Sequence, residues 1–266
     1  MNKFITTIIL LFTITSAVTA QEEFTPHEWV SGADTLQYQI SYPDNFSEEK
    51  EYPVVLFLHG AGERGSDNTS QLTHGSSMFM SDSIRKKYPA IVIFPQCPKD
   101  SYWVNADVDR SSYPLNITFK TGGEPTTALK LVMELMDDVV NKKYVNKDRI
   151  YVMGLSMGGM GTFEIISRKP EMFAAAIPIC GGANPETASV YATTIPLWIF
   201  HGSQDNVVAP KYSINMVSSI LEKGGYPQFT LFADANHNSW DATFAQPGLL
   251  AWLFSKHKDQ TTNTKK

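Results

Sequence analysis

The sequence predicts a single-domain α/β protein with a mostly parallel central sheet and helices on both of its faces. From residue 52 onwards, short apolar runs rich in valine and isoleucine alternate with segments whose apolar residues recur every three or four positions. Continuous apolar runs are typical of strands buried on both faces, and intervening helices make neighbouring strands parallel. The absence of internal repeats and of a low-complexity linker favours one domain.

The apolar runs that we interpret as parallel strands cover residues 54–58, 90–94, 149–153, 174–179, 195–200 and 229–232. Residues 36–40 instead alternate between apolar and polar side chains, which predicts an antiparallel strand at the edge of the sheet. Residues 95–124 form the longest stretch without a predicted regular element.

Helical spacing predicts helices over residues 125–144, 160–168, 210–223 and 249–254. In the first of these, the buried face is expected to carry Val132, Leu135, Met136, Val139 and Val140. In the helix over residues 210–223, Ile214, Val217 and Leu221 are expected to share the buried face, and Gly224-Gly225 ends the helix.

Composition and charge exclude several classes of function. The 266 residues are 42% hydrophobic and 18% charged, as expected for a globular protein with a substantial core. The formal net charge of −5 gives no basic surface for nucleic acid. No segment after residue 20 is long and apolar enough to predict a membrane anchor. We therefore expect neither a nucleic-acid partner nor a membrane anchor.

The N-terminal 20 residues have the pattern of a signal peptide. Lys3 precedes an apolar run over residues 4–12, and small residues lead to a cleavage site after Ala20. We expect export to the periplasm or the exterior, a folded catalytic domain over residues 21–255, and a polar tail over residues 256–266.

The sequence contains two cysteines, Cys97 and Cys180. Both follow strands that we expect to lie apart in the sheet, and a disulfide requires its two Cα atoms to be within about 7 Å of each other. Two buried thiols are therefore favoured over a disulfide.

The motif Gly154-Leu155-Ser156-Met157-Gly158 lies between a predicted strand and a predicted helix. A Gly-x-Ser-x-Gly sequence in that context is typical of a nucleophile elbow, in which a sharp turn exposes the serine hydroxyl above the sheet. The glycines leave room for the turn because a Cβ at either position would contact neighbouring backbone. Ser156 is therefore the candidate nucleophile.

A serine nucleophile requires a base, and the base requires an orienting acid. His237 follows the last predicted strand, and Asp205 follows the strand before it, so both should lie with Ser156 at the carboxyl edge of the sheet. Asp234 is a rival acid, but it precedes His237 by only three residues. His257 falls in the predicted tail.

The remaining histidines near the predicted strand ends receive no catalytic role. We interpret His59 and His201 as structural hydrogen-bonding residues, and the role of His74 stays open. The glycine-rich run over residues 59–65 follows an early strand and is suited to an oxyanion hole. Its donors are expected to be the backbone amides of Met157 and Ala61, with Gly62 as the alternative to Ala61.

The block from residue 54 to residue 241 resembles the α/β-hydrolase superfamily. Four motifs are similar to those of secreted esterases of the polyhydroxybutyrate-depolymerase and feruloyl-esterase type; they lie at residues 59–65, 95–98, 154–159 and 237–240. The resemblance implies an α/β-hydrolase fold, a triad of Ser156, His237 and Asp205, and no metal or organic cofactor.

Aromatic residues suggest the size of the substrate. Tyr102, Trp103 and Tyr113 lie in the irregular stretch, and Trp240 follows His237 closely, so Trp103 and Trp240 are candidate substrate-binding residues. The interval over residues 181–194 is too short for a helical lid. These features predict a lidless esterase for short-chain or aromatic acyl esters. The expected substrate is a small or polysaccharide-linked ester, such as a feruloyl or acetyl ester.

Two alternatives remain open at this stage. A serine peptidase of the prolyl-oligopeptidase type has the same sheet and triad order, although only about thirty residues here separate the predicted signal peptide from the first core strand, too few for a gating domain. A non-catalytic carbohydrate- or partner-binding protein could also have this fold, although such a protein would be expected to have lost part of the triad or of the oxyanion glycines.

Overall fold

A computed structural model describes residues 24–258 of the chain. The predicted signal peptide, residues 1–20, lies outside this range, as does the predicted tail beyond Lys258. The first tail residue, Lys256, is tied to the domain because its carbonyl accepts a hydrogen bond of 2.8 Å from the Tyr151 hydroxyl.

The described residues contain ten strands and eight α-helices. The strands are β1 (Thr25–Ser31), β2 (Asp34–Ser41), β3 (Tyr52–Leu58), β4 (Ile91–Gln96), β5 (Ala106–Asp109), β6 (Asn116–Phe119), β7 (Val145–Leu155), β8 (Ala175–Ile179), β9 (Trp198–Gly202) and β10 (Gln228–Phe232). The helices are α1 (Ser76–Met80), α2 (Asp82–Lys87), α3 (Thr127–Val140), α4 (Met157–Arg168), α5 (Ala188–Tyr191), α6 (Lys211–Glu222), α7 (Ser239–Phe244) and α8 (Leu249–Phe254).

Eight strands form one sheet in the order β1-β2-β4-β3-β7-β8-β9-β10. The pairs β1/β2 and β2/β4 are antiparallel, and β4, β3, β7, β8, β9 and β10 run parallel to one another. The carboxyl ends of β3, β7, β8, β9 and β10 therefore lie along one edge of the sheet. This is the predicted α/β fold with a mostly parallel sheet.

Hydrophobic cores on both faces of the sheet confirm the two helical layers. Along β3, Val54, Leu56 and Leu58 belong to one core and Val55 and Phe57 to the other. The first core also contains side chains of α3, α4 and α6, and the second contains those of α8. The sequence of a strand covered on both faces is a continuous apolar run, because the side chains on both faces are shielded from solvent.

The prediction of an edge strand at residues 36–40 is only partly correct. These residues lie in β2 and pair antiparallel with β4, but β1 pairs with the other side of β2 and is the outer strand. The sequence of β1 contains charged and polar residues on a mostly exposed strand, so it lacks the apolar pattern that marks a buried one.

The predicted apolar face of α6 is mostly wrong: of its three residues, only Val217 packs against the core. Ile214 and Leu221 are 44% and 53% exposed, whereas Met216 and Ile220 are buried. The helix buries Ser213 on the same face because its hydroxyl donates to the Gly181 carbonyl at 2.9 Å. Hydrogen bonding removes the cost of burying such a hydroxyl, so an apolar count alone selects the wrong face.

Both cysteines are free and buried, which confirms the interpretation of two thiols. Burial raises the pKa of Cys97 to about 12 and that of Cys180 further. Between residues 24 and 258, the helices are too short or too polar to cross a membrane.

Candidate active site

Ser156 forms the turn between β7 and α4. Its backbone has φ of 54° and ψ of −117°, a region that non-glycine residues rarely occupy. A hydrogen bond of 2.9 Å from its amide to the Ile179 carbonyl ties the turn to β8. Such a conformation typically costs about 1–3 kcal/mol and persists where the surrounding structure determines it.

The glycines of the motif allow two backbone segments to approach each other closely. A Cβ on Gly158 would lie 1.9 Å from the Leu58 carbonyl oxygen, and a Cβ on Gly154 would lie 2.3 Å from the Gly158 carbonyl oxygen. Both neighbours are backbone and cannot rotate away. The motif therefore contains glycine because α4 begins against β3 and β7 with no space for a side chain.

The three residues predicted as a triad lie in one hydrogen-bonded chain. Ser156 Oγ is 2.9 Å from His237 Nε2, and His237 Nδ1 is 2.8 Å from Asp205 Oδ2. With Asp205 ionised, the Nδ1–H group donates to the carboxylate, and Nε2 is left to accept the serine proton. The Asp205 side chain is fully buried, whereas that of His237 is 20% exposed and can meet substrate.

Asp205 is held as a carboxylate from both of its oxygens. Oδ1 accepts hydrogen bonds of 2.9 Å from the amides of Val207 and Val208, and Oδ2 lies 3.3 Å from His201 Nε2 in addition to His237. Burial raises the pKa of this carboxyl, but hydrogen bonds from His201 and His237 outweigh it and hold the pKa well below its usual range. The rival Asp234 is exposed on the far side of the β10 loop.

His59 and His201, which the sequence analysis interpreted as structural residues, are both buried near the site. His59 Nε2 accepts from the Cys97 amide at 2.9 Å, and its Nδ1 lies 2.6 Å from the Gly60 carbonyl oxygen. Burial lowers the pKa of His59 to about 4, so the ring is neutral and structural, as predicted. His201 is also buried and bonded to the Val208 carbonyl and Ser213, but its contact with Asp205 goes beyond the structural role that the sequence indicated.

Ala61 and Met157 lie beside Ser156 and line the same cavity. Met157 is the first residue of α4, so its amide has no acceptor within the helix. Ala61 begins a short 3₁₀ helix after β3. Arg64 fixes this loop because its side chain donates to the Ala61 carbonyl at 3.1 Å and to the Lys99 carbonyl at 2.9 Å.

A cavity of about 240 Å³ opens beside Ser156. One wall is apolar and consists of side chains from Val104, Val108, Leu115, Ile117, Met160, Val207 and Val208. The cavity is also lined by polar and aromatic side chains, those of Glu63, Tyr102, Arg110, His237 and Trp240. The cavity is therefore large enough for a small acyl group and is amphipathic.

Three of the seven residues of the apolar wall, Val108, Leu115 and Ile117, come from a two-stranded hairpin of β5 and β6, within the stretch for which the sequence predicts no regular element. Hydrogen bonds attach the hairpin to the rest of the domain: the Leu115 amide donates to the Val207 carbonyl at 2.8 Å, and the Ile117 amide donates to the Tyr212 hydroxyl at 2.9 Å. Alternation of apolar and polar residues in both strands is the signal that could have revealed it.

The two tryptophans predicted to bind substrate have different positions. Trp240 lines the cavity, but Trp103 is fully buried outside it, and its indole N–H donates to the His59 carbonyl at 3.1 Å. The prediction for Trp103 is therefore wrong: this side chain supports the loop after β3. Tyr102 lines the cavity, and Tyr113 is 64% exposed at the turn of the hairpin.

This fold, with a serine, an imidazole and a carboxylate bonded in sequence at the carboxyl edge of the sheet, defines an α/β-hydrolase. A family model named Esterase, described as "Putative esterase", matches residues 33–247. The chain belongs to this esterase family.

A solved structure titled as a thermostable esterase is similar to this chain at 31% identity, with a TM-score of 0.78, over 88% of this chain and 63% of the other. A bifunctional acetylxylan esterase/xylanase of Neocallimastix patriciarum is 26% identical over 59% of this chain. Dipeptidyl-peptidase 5 of Porphyromonas gingivalis is also 26% identical, over 79% of this chain. The chain spans only 20% and 30% of the lengths of these two curated relatives.

The close approach at Gly158 leads to a prediction about stability. We expect Gly158→Ala to lower the free energy of unfolding by about 3 kcal/mol or more, because the added Cβ overlaps the immovable Leu58 carbonyl. Chemical denaturation monitored by circular dichroism measures the change. The matched control is Gly62→Ala, where a Cβ meets no atom within 4 Å, and its unfolding free energy should change by less than about 1 kcal/mol. Equal stability of the two variants would contradict the close-packing argument.

Proposed function

We propose that the protein is an exported serine esterase that hydrolyses short-chain or aromatic carboxylic esters, including feruloyl or acetyl esters linked to polysaccharide. Ser156 is the nucleophile, His237 the general base and Asp205 the orienting acid. The observation that carries the proposal is the hydrogen-bonded chain of these three residues at the wall of an apolar cavity.

The reaction follows from the positions of the three groups. His237 Nε2 accepts the hydroxyl proton as Ser156 Oγ attacks the ester carbonyl carbon, and the carbonyl oxygen becomes an oxyanion facing the amides of Met157 and Ala61. Collapse of the tetrahedral intermediate breaks the bond to the alcohol oxygen, which takes the proton from His237. Water then attacks the acyl-enzyme by the same steps and releases the carboxylic acid.

The buried carboxylate of Asp205 stabilises the imidazolium that forms on His237. The ring of His201 lies beside Asp205 Oδ2, the oxygen that His237 also contacts. The amides of Val207 and Val208 donate to the other oxygen, Oδ1. Because each of these groups donates a hydrogen bond, the carboxylate keeps its charge and its orientation throughout the cycle.

The apolar wall supports the choice of acyl group. Valine, leucine, isoleucine and methionine side chains favour a small apolar or planar aromatic acyl group, and the volume of about 240 Å³ is too small to enclose a long acyl chain. The segment between β8 and β9 contains only the four-residue helix α5 and a short 3₁₀ helix, which supports the absence of a helical lid there.

A peptidase activity is the second candidate because a peptidase is among the relatives. The same acyl-enzyme chemistry cleaves amides when the leaving amine is bound and protonated. The acyl ester and the acyl amide of one acid, compared in kcat/KM, separate the two functions, and the esterase proposal requires the ester to be strongly preferred.

The export proposal depends on the signal-peptide pattern of residues 1–20. N-terminal sequencing of the protein recovered from its native host, outside the cytoplasm, should begin at Gln21.

Replacement of the nucleophile tests the mechanism. We expect Ser156→Ala to reduce kcat for p-nitrophenyl acetate by about 10⁴-fold or more, since no other group can form the acyl-enzyme. Active-site labelling by an organophosphate should also disappear. The unfolding midpoint should be retained because the hydroxyl contributes little packing. An acylated residue other than Ser156 in wild-type protein, located by mass spectrometry, would contradict the assignment.

The choice of acid is tested by a matched pair of variants. Asp205→Asn should lower kcat by about 10³–10⁴-fold, because the amide no longer stabilises the His237 tautomer and its positive charge. Asp234→Asn removes an exposed carboxylate from the same loop as His237 and should leave kcat within about twofold. A larger loss in the Asp234 variant would reverse the assignment.

The acyl preference is tested with a panel of esters. We expect p-nitrophenyl acetate, p-nitrophenyl butyrate and methyl ferulate to be hydrolysed with kcat/KM at least about tenfold above that for p-nitrophenyl palmitate, since each tenfold corresponds to about 1.4 kcal/mol of fit. The rate with palmitate should not rise at its solubility limit. A preference for palmitate would contradict the short-acyl pocket.

A further inference from the structure

The carboxylate of Glu63 faces the active-site cavity without a hydrogen-bonding partner among the described residues. Its side chain is only 14% exposed, and Oε2 is buried. A Cβ placed on Gly60 would be 3.0 Å from this oxygen and 3.7 Å from Ser156 Cβ, so the carboxylate and the nucleophile border the same small volume. Because Oε2 is enclosed, Oε1 is the oxygen that a molecule in the cavity can reach, and a carboxylate without donors is a strong acceptor for a ligand.

The groups nearest to Glu63 do not neutralise it. His59 Nδ1 lies 4.0 Å from Oε2, but its proton is directed to the Gly60 carbonyl. His74 Nε2 lies 3.8 Å from Oε1, beyond hydrogen-bonding distance. The neighbouring Arg64 is directed to the carbonyls of Ala61, Lys99 and Ser101. The carboxylate is therefore available to accept a hydrogen bond from a molecule in the cavity.

Aromatic contacts place this carboxylate on the side from which the alcohol leaves. His237 must protonate the departing alcohol oxygen, so the alcohol lies next to its ring. The Trp240 ring lies against His237 with centroids 5.4 Å apart, and His74 lies against Trp240 at 5.2 Å. Glu63, His74 and Trp240 thus form one contiguous cluster beside His237, and Glu63 and Trp240 of this cluster line the cavity.

We propose that Glu63, His74 and Trp240 form a subsite for an alcohol that carries further hydroxyl groups, as in a sugar ring or another polyol. Glu63 accepts a hydrogen bond from a hydroxyl next to the ester, and Trp240 offers an apolar surface to the C–H face of the ring. The partly exposed His74 extends the polar surface toward solvent. This inference rests on the proposed function, since it defines the alcohol side of the same site.

The experiment compares two acetate esters that differ only in the alcohol: a monoacetylated methyl β-xylopyranoside, which has neighbouring hydroxyls, and cyclohexyl acetate, which has none. Glu63→Gln should reduce kcat/KM for the sugar ester by about tenfold or more, because a charged hydrogen bond is lost. The value for cyclohexyl acetate should change by less than about twofold. The loss should appear mainly in KM, because the hydroxyl is bound before and during the reaction.

The matched control is Asp107→Asn on strand β5. Its carboxylate is exposed and paired with Lys120 at 2.8 Å, so the variant removes one negative charge near the hairpin without changing the subsite. Both esters should react with Asp107→Asn as with wild type. Equal losses for both esters in Glu63→Gln would show a structural role for Glu63 in its loop, and no loss for either would show that the carboxylate does not meet substrate; each result overturns the proposal.

A binding measurement separates this inference from the proposed activity. Saturation-transfer NMR should detect methyl β-xylopyranoside bound to the Ser156→Ala protein, and the signal should weaken in the Ser156→Ala/Glu63→Gln double variant. Sugar binding that depends on Glu63 would support the subsite even if the ester panel failed. Binding equal in both variants would overturn it even if Ser156 proved to be the nucleophile.

Discussion

The contact between the first turn of α4 and the neighbouring strand backbones is the constraint on which the active site depends. Gly158 lies directly against the Leu58 carbonyl, and Gly159 lies against that of Ile179, so neither position can carry a side chain. This contact forces the chain to reverse within one residue, and Ser156 occupies a left-handed conformation as a result. The helix then begins directly after Ser156, so the amides of its first turn have no acceptor within the helix.

The sequence predicted the parts of the molecule that depend on local pattern and chain order. The parallel strands, the helices α3 and α8, and the approach of Ser156, His237 and Asp205 all follow from apolar runs and from the rule that parallel strands end at one edge of the sheet. The hairpin and the outer strand β1 were missed because they are short or polar. Trp103 was misplaced because the sequence does not say whether an aromatic side chain in a loop points inward.

The environment of the acid depends on contacts between residues distant in the fold, which no spacing rule contains. His201 belongs to strand β9, yet both of its ring nitrogens are engaged, one by Ser213 of α6 and the other near Asp205. The buried serines of α6 explain both this network and the wrong choice of the helix face. A prediction of buried faces from apolar residues alone fails where polar residues lie inside the core. Here such residues surround the carboxylate of Asp205.

The hairpin of β5 and β6 lies outside the main sheet and pairs only with itself. It nevertheless supplies Val108, Leu115 and Ile117 to the apolar wall of the cavity, while Ser156, His237 and Asp205 follow strands of the main sheet. Part of the apolar lining is therefore encoded in a segment of the chain separate from the three hydrogen-bonded residues. Residues 106–119 can vary in length or sequence, and with them the shape of the entrance, while the main sheet stays the same. A scaffold divided in this way can diversify its substrates through one short segment, or be re-engineered by exchanging it.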